Sequence, residues 1–215
     1  MLRRLFAETV GTAFLVGAAV GAAHMATSLG AGAALGLLAG SLATGAILFV
    51  LITVLGPVSG AHLNPAVSLA FALRKEMGAA TAAAYIPAQC IGGVIGILAV
   101  HAMFDQPLVQ ISTSSRAGLS LMASEAIATF GLLFTIFGGL KAKPEAVPAL
   151  VGLYIMAAYW FTASTSFANP AVTIARMFTD SPAGIAPTDA PGWIAGQVIA
   201  TLIAALLLPR LFSKE

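Results

Sequence analysis

The phrase Asn-Pro-Ala-Val occurs twice in this chain, at residues 64–67 and 169–172, each time directly after a long apolar run. Asn is a favoured helix N-cap and Pro suits the first helical position, so each copy starts a helix. Each helix is short. Only about ten residues separate Asn64 from Arg74-Lys75-Glu76, and Asn169 from Asp180-Ser181-Pro182; at ~1.5 Å per residue that is about 15 Å, half of a ~30 Å hydrocarbon core. A single Asn-Pro pair reads as an ordinary surface cap. Two copies in apolar surroundings point to re-entrant segments, too short to span and too apolar for water, shielded by neighbouring helices.

Composition decides the phase the chain lives in. Apolar residues make up 59% and charged residues 8%, with a mean hydropathy of +0.97, whereas a soluble domain carries roughly 25% charge. The expected class is an all-α polytopic membrane protein, with the lipid bilayer as its first partner. A net charge of +2, spread over scattered basic pairs, gives no reason to expect nucleic acid. The single cysteine, Cys90, excludes an intrachain disulfide and a cysteine-based metal cluster, and no cofactor or metal is expected. The N-terminus imitates a secretory signal, with Arg3-Arg4 before an apolar run and small residues around Ala22–Ala26. Glu8 inside that run argues for a structural segment.

Apolar runs long enough to span cover residues 5–23, 34–56, 80–104, 119–140, 148–164 and 191–209. The two short helices lie between the second and third runs and between the fifth and sixth. With both termini inside, Arg3, Arg4, Arg74, Lys75, Lys141, Lys143, Arg210 and Lys214 face the cytoplasm and only Arg116 and Arg176 face out. The positive-inside rule therefore expects cytoplasmic termini in a cell (inner) membrane.

An internal repeat extends beyond the Asn-Pro phrases, with repeat one at about 1–108 and repeat two at about 115–215 of a single transmembrane domain. Glu8 opens the first crossing as Glu125 opens the fourth, and Tyr85-x-x-x-Gln89 in the third matches Trp193-x-x-x-Gln197 in the sixth. Three crossings per half invert the second copy relative to the first, so the half-helix N-termini meet near the midplane. Small residues at four-residue spacing, Gly32-Gly36-Gly40 and Gly92-Gly96, read as close helix packing.

Two opposed half-helices place two positive dipole ends and the carboxamides of Asn64 and Asn169 at one point, with Pro65, Ala66, Pro170 and Ala171 beside them. Such a site repels cations and protons and hydrogen-bonds an uncharged solute. Backbone carbonyls over 59–63 and 164–168 are expected to add a ladder of acceptors along a wet lumen. Glu8 and Glu125 are costly at this depth without partners. Their expected role is to accept backbone N–H bonds and hold the re-entrant loops, with a proton relay as the alternative. His62, whose counterpart in the second loop is Phe167, is expected to support its loop; a gating role is the alternative.

On these residues the chain resembles the aquaporin and glycerol-facilitator family. The match covers Ser-Gly-Ala-His-Leu-Asn-Pro-Ala-Val in the first loop, the second Asn-Pro-Ala, the paired glutamates and Tyr-Ile-Pro-Ala-Gln-Cys-Ile-Gly-Gly in the third crossing. The resemblance implies six transmembrane helices plus two re-entrant half-helices in an inverted repeat, and a homotetramer with one pore per subunit. It also implies a four-residue constriction on the outer side, one member an arginine directly after the second Asn-Pro-Ala. Here that position is Val172, and gap-free counting puts the others at Thr44, Ala157 and Ser166. The expected constriction is wide, uncharged and mildly polar. Arg176 lies one helical turn beyond Val172. It is expected to be a solvated anchor at the outer mouth, the alternative being a head that reaches back toward the same face. One of Tyr159, Trp160 and Phe161 would narrow the lumen if it faced inward.

The function implied is a passive channel for small uncharged solutes, such as glycerol, urea or a neutral metalloid hydroxide like arsenous acid, with water; the alternative is a strictly water-selective pore. A secondary transporter also has inverted repeats and broken helices, but nothing in this chain reads as a coupling-ion site. Ser59 and His62 lack the turn pattern and the third acid that a hydrolase needs, and short outer loops leave little room for an adhesive role.

Overall fold

The computed structural model describes residues 1–213, so Lys214 of the positive-inside count lies outside the described residues. Helix α1 covers Leu2–Ser28, α2 Ala33–Ser59, α3 Pro65–Leu73, α4 Ala79–Met103, α5 Leu119–Ala142, α6 Val147–Phe161, α7 Pro170–Arg176 and α8 Ala190–Leu211; a 3₁₀ turn at Pro144–Ala146 leads into α6. Six of these segments, counting the turn with α6, are long and apolar enough to cross a membrane, and α3 and α7 are the two half-helices. Both termini therefore lie at one end of the bundle. Helix α2 continues three residues beyond the apolar run 34–56, to Ser59, ending where Gly60 adopts a left-handed φ of 90° and returns its N–H to Gly56.

Helices α1 and α4 pack together, as do α5 and α8, and α2 meets α6 across the bundle. The half-helices tie the two groups together. Helix α3 packs on α8 as well as α4, and α7 packs on α4 as well as α8. Large apolar side chains such as Phe6, Val54, Leu153 and Leu206 point outward, as a lipid-facing surface requires.

The glycines divide into two kinds. A Cβ on Gly92 or Gly96 would collide with the carbonyl oxygens of Thr9 and Ala13 on α1, and one on Gly152 of α6 would sit 2.6 Å from the Gly45 oxygen of α2. These backbones touch. The Gly32-Gly36-Gly40 stripe corrects the packing expectation: a Cβ there meets nothing closer than 3.6 Å, and the three residues line a cavity. Cys90 is free and half-buried.

Candidate solute pathway

Each half-helix begins with a side-chain cap. The Asn64 Oδ1 accepts from the Ala66 N–H at 2.8 Å, and the Asn169 Oδ1 accepts from Ala171 at 2.9 Å and Val172 at 3.3 Å. The Nδ2 groups cross between the loops: Asn64 donates to the Ala168 carbonyl and Asn169 to the Leu63 carbonyl, both at 2.8 Å. Each carboxamide retains one N–H, and both side chains stand on the lumen. Pro65, Ala66, Pro170 and Ala171 are buried in the first turns and do not line it, because the helix direction set by the cap turns them into the bundle.

The loops leading to these caps are strained. Ala61, Leu63, Thr165, Ser166 and Ala168 all have positive φ, an expensive conformation for residues with a Cβ. Two buried glutamates over-determine it. Glu8 accepts from the Ser59 hydroxyl (2.6 Å), the His62 and Leu63 N–H groups (3.0 and 2.6 Å) and Gln89 Nε2 (2.8 Å). Glu125 accepts from the Phe167 and Ala168 N–H groups (2.9 and 2.8 Å) and Gln197 Nε2 (2.6 Å). Gln89 also donates to Ser68, and Gln197 to Thr173, fixing each acid to its half-helix. The Gln pair was visible beforehand only as a repeat, since a glutamine in an apolar run does not name its partner.

The carbonyl ladder is shorter than its expected span. Its last rungs, Leu63 and Ala168, are taken by the opposite asparagines, and Ser59 accepts from the Tyr85 hydroxyl. Among the described residues the carbonyls of Gly60, Ala61 and His62, and of Ser166 and Phe167, carry no intramolecular hydrogen bond. His62 lines the lumen, bonds Ser68 through Nδ1 at 3.1 Å and packs 4.6 Å from the Phe71 ring. The remaining wall is apolar, with Leu15, Leu48, Val67, Leu132, Val151 and Ile155. The lumen is thus polar along one side only.

Two cavities lie in series. The lumen runs from the end holding the termini past both asparagines, and a vestibule lies toward the other end. Thr44, Ser166 and Val172 stand on the lumen wall. Ala157 does not, which corrects the gap-free count: Ile155 and Tyr159 point inward, and a residue midway between two positions four apart lies on the opposite helix face, where Ala157 is exposed. Of the three neighbouring aromatics Tyr159 faces in, while Trp160 and Phe161 are half exposed on the outside.

Arg176 corrects a second expectation. It is 4% exposed instead of solvated, because its side chain folds back along α7, lays the guanidinium 4.1 Å above the Phe167 ring and donates to the Tyr159 hydroxyl at 3.3 Å. The Tyr159 oxygen lies 2.9 Å from Thr44 Oγ1. Arg116, in the loop before α5, reaches the other side of the same region, its guanidinium 5.4 Å from the Phe167 ring and bonded to the Gly184 and Pro182 carbonyls. Burial, then the Arg176 charge, pull Arg116 down to about 10, so it stays protonated at neutral pH.

With this geometry in view, the family described as Major intrinsic protein matches residues 1–165. The chain belongs to that family. A major intrinsic protein is a membrane channel, not an enzyme. This member is 51% identical to aquaglyceroporin AqpS of Rhizobium meliloti over 97% of the chain and 89% of that protein. It is 31% identical to aquaporin TIP4-4 of Zea mays over 100% of the chain and 88% of that protein. The solved aquaglyceroporin of Plasmodium falciparum shares the fold, with a TM-score of 0.76, 21% identity and 98% of each chain covered.

The crossed asparagines make one stability prediction. Asn64→Ala removes a cap, at about 0.5–2 kcal/mol, and leaves the buried Ala168 carbonyl unpaired, at about 1–3 kcal/mol more. The melting temperature in detergent should drop by several degrees; an unchanged value would show that water replaces the bond.

Proposed function

We propose that this channel passes small uncharged solutes larger than water, in the class of glycerol, urea or a neutral metalloid hydroxide such as arsenous acid, with water accompanying them. The observation that carries this reading is the one-sided polar lumen. Free N–H groups on Asn64 and Asn169 and unbonded loop carbonyls line one side, with an aliphatic wall opposite. A hydroxylated molecule with a carbon backbone is matched on both sides, whereas a cation would shed hydration with no opposite charge to replace it. The two capped N-termini add positive potential at the midplane. The name aquaglyceroporin, borne by the 51% identical relative, is consistent with this class.

In the same reading the termini are cytoplasmic, the vestibule opens outward, the membrane is a bacterial inner membrane and the channel is a homotetramer. The basic residues concentrated at the end holding the termini support the orientation. The paired Asn64 and Asn169 form the midplane site, Glu8, Glu125 and His62 support the loops, and Thr44, Ser166 and Val172 form the inner ring below the vestibule.

A water-selective pore is the second reading, favoured by Tyr159 and Arg176 projecting into the path. Stopped-flow light scattering of proteoliposomes separates the two. Wild type should pass glycerol and urea as well as water, and Val172→Arg, which adds a bulky cation to the lumen wall, should cut glycerol flux about tenfold. Wild-type vesicles that shrink osmotically but do not reswell in glycerol or urea would establish the water-selective pore instead.

A further inference from the structure

The lumen and the vestibule share only three lining residues, Ala19 of α1, Tyr159 of α6 and Arg176 of α7. Thr44, Ser166 and Val172 line the lumen alone. A solute moving between the cavities therefore crosses a neck made by a methyl group, a phenol and a guanidinium.

Arg176 is held there in an unusual state. Among the described residues the one ion pair is Arg74–Glu76, so no carboxylate neutralises Arg176. Its side chain makes one hydrogen bond, to Tyr159, and its Nε is buried with no partner. A guanidinium has five donors. A buried cation with most of its donors unspent is costly unless something passing by accepts from them. Its position is set from two sides. The Phe167 face supports it from beneath, and the Tyr159 oxygen accepts from it while sharing a hydrogen bond with the Thr44 hydroxyl.

We propose that Arg176 is the selectivity cation of this channel, delivered from one helical turn beyond the Asn-Pro-Ala motif, with Tyr159 as its positioning residue. The neck of Ala19, Tyr159 and Arg176 sets the size limit, and Arg176 donates hydrogen bonds to the hydroxyls of a small polyol as its carbon face slides past Ala19 and the phenol ring. The small Ala19 leaves the width that a solute larger than water needs. Arg116, on the vestibule side of Phe167, adds a second cation that repels positively charged solutes before they reach the neck.

This assignment rests on the pore being a conduit for uncharged solutes, and the test separates the two. Wild type, Arg176→Gln and Tyr159→Phe are reconstituted after monodisperse elution, and water, glycerol and ribitol permeabilities are measured on the same vesicles. Arg176→Gln should raise the ribitol-to-water permeability ratio about fivefold, and Tyr159→Phe about twofold, because a wider neck favours the larger solute. A ratio is insensitive to the fraction of active protein, so mere destabilisation does not move it. An unchanged ratio in folded Arg176→Gln, or in Tyr159→Phe should the first variant fail to fold, overturns the assignment. Should wild type pass water alone, the neutral-solute reading fails; glycerol flux appearing in Arg176→Gln would still place the barrier at Arg176.

Discussion

Glu8→Ala should abolish the folded channel. The carboxylate is fully buried and receives four hydrogen bonds, from the Ser59 hydroxyl, the His62 and Leu63 N–H groups and Gln89 Nε2. Alanine leaves all four donors inside the bundle. At about 1–3 kcal/mol for each unpaired buried donor, the loss is on the order of 4 kcal/mol or more, a large part of the roughly 5–15 kcal/mol that separates folded from unfolded states of ordinary domains. The released segment also holds Ala61 and Leu63 at positive φ, a strain that the carboxylate's bonds to the His62 and Leu63 N–H groups help to offset. The expected result is aggregation on size exclusion, with glycerol flux at the level of empty vesicles. Glu8→Gln should fail in part, since a carboxamide has one accepting oxygen and turns an N–H toward donors. A Glu8→Ala variant that elutes normally with wild-type flux would mean that the carboxylate does not hold the loop.

Gly96→Leu should be as damaging, by a different route. At Gly92 and Gly96 a Cβ already overlaps the α1 backbone at Thr9 and Ala13, and backbone has no rotamer through which to retreat. Helices α1 and α4 would have to separate by more than an ångström along their contact. Glu8 and Thr12 ride on that stretch of α1, so separation also draws the carboxylate away from its loop. Gly17 is the control. A Cβ there meets nothing within 4 Å, so Gly17→Leu, on the facing helix α1, should elute and melt like wild type. A normal melting temperature for Gly96→Leu would contradict the tight α1–α4 contact.

What the sequence determined by itself is the framework. Long apolar runs report spans directly, because every backbone group in a bilayer must be satisfied within its own helix. The doubled Asn-Pro-Ala-Val reports two helix starts, because capping is a property of a few adjacent residues. The repeat of Glu8 and Gln89 in Glu125 and Gln197 was likewise readable, although the sharing of each acid between a loop and a glutamine was not.

Only the tertiary structure decided which side chains meet in the pore. Ala157 and Tyr159 are two positions apart, about 200° around a helix, so they stand on opposite faces of α6; which face turns inward is set by the backbone contact of Gly152 with Gly45 on α2, far away in sequence. Arg176 at the end of a half-helix reads equally well as an anchor in solvent or as a pore cation. Its burial depends on Phe167 from its own loop and Tyr159 from another helix arriving at one place. The same holds for Gly32-Gly36-Gly40, whose spacing suits close helix packing but which lines the vestibule wall. Caps and spans are settled by neighbours in sequence, whereas the neck of a pore is settled by three helices packing at once.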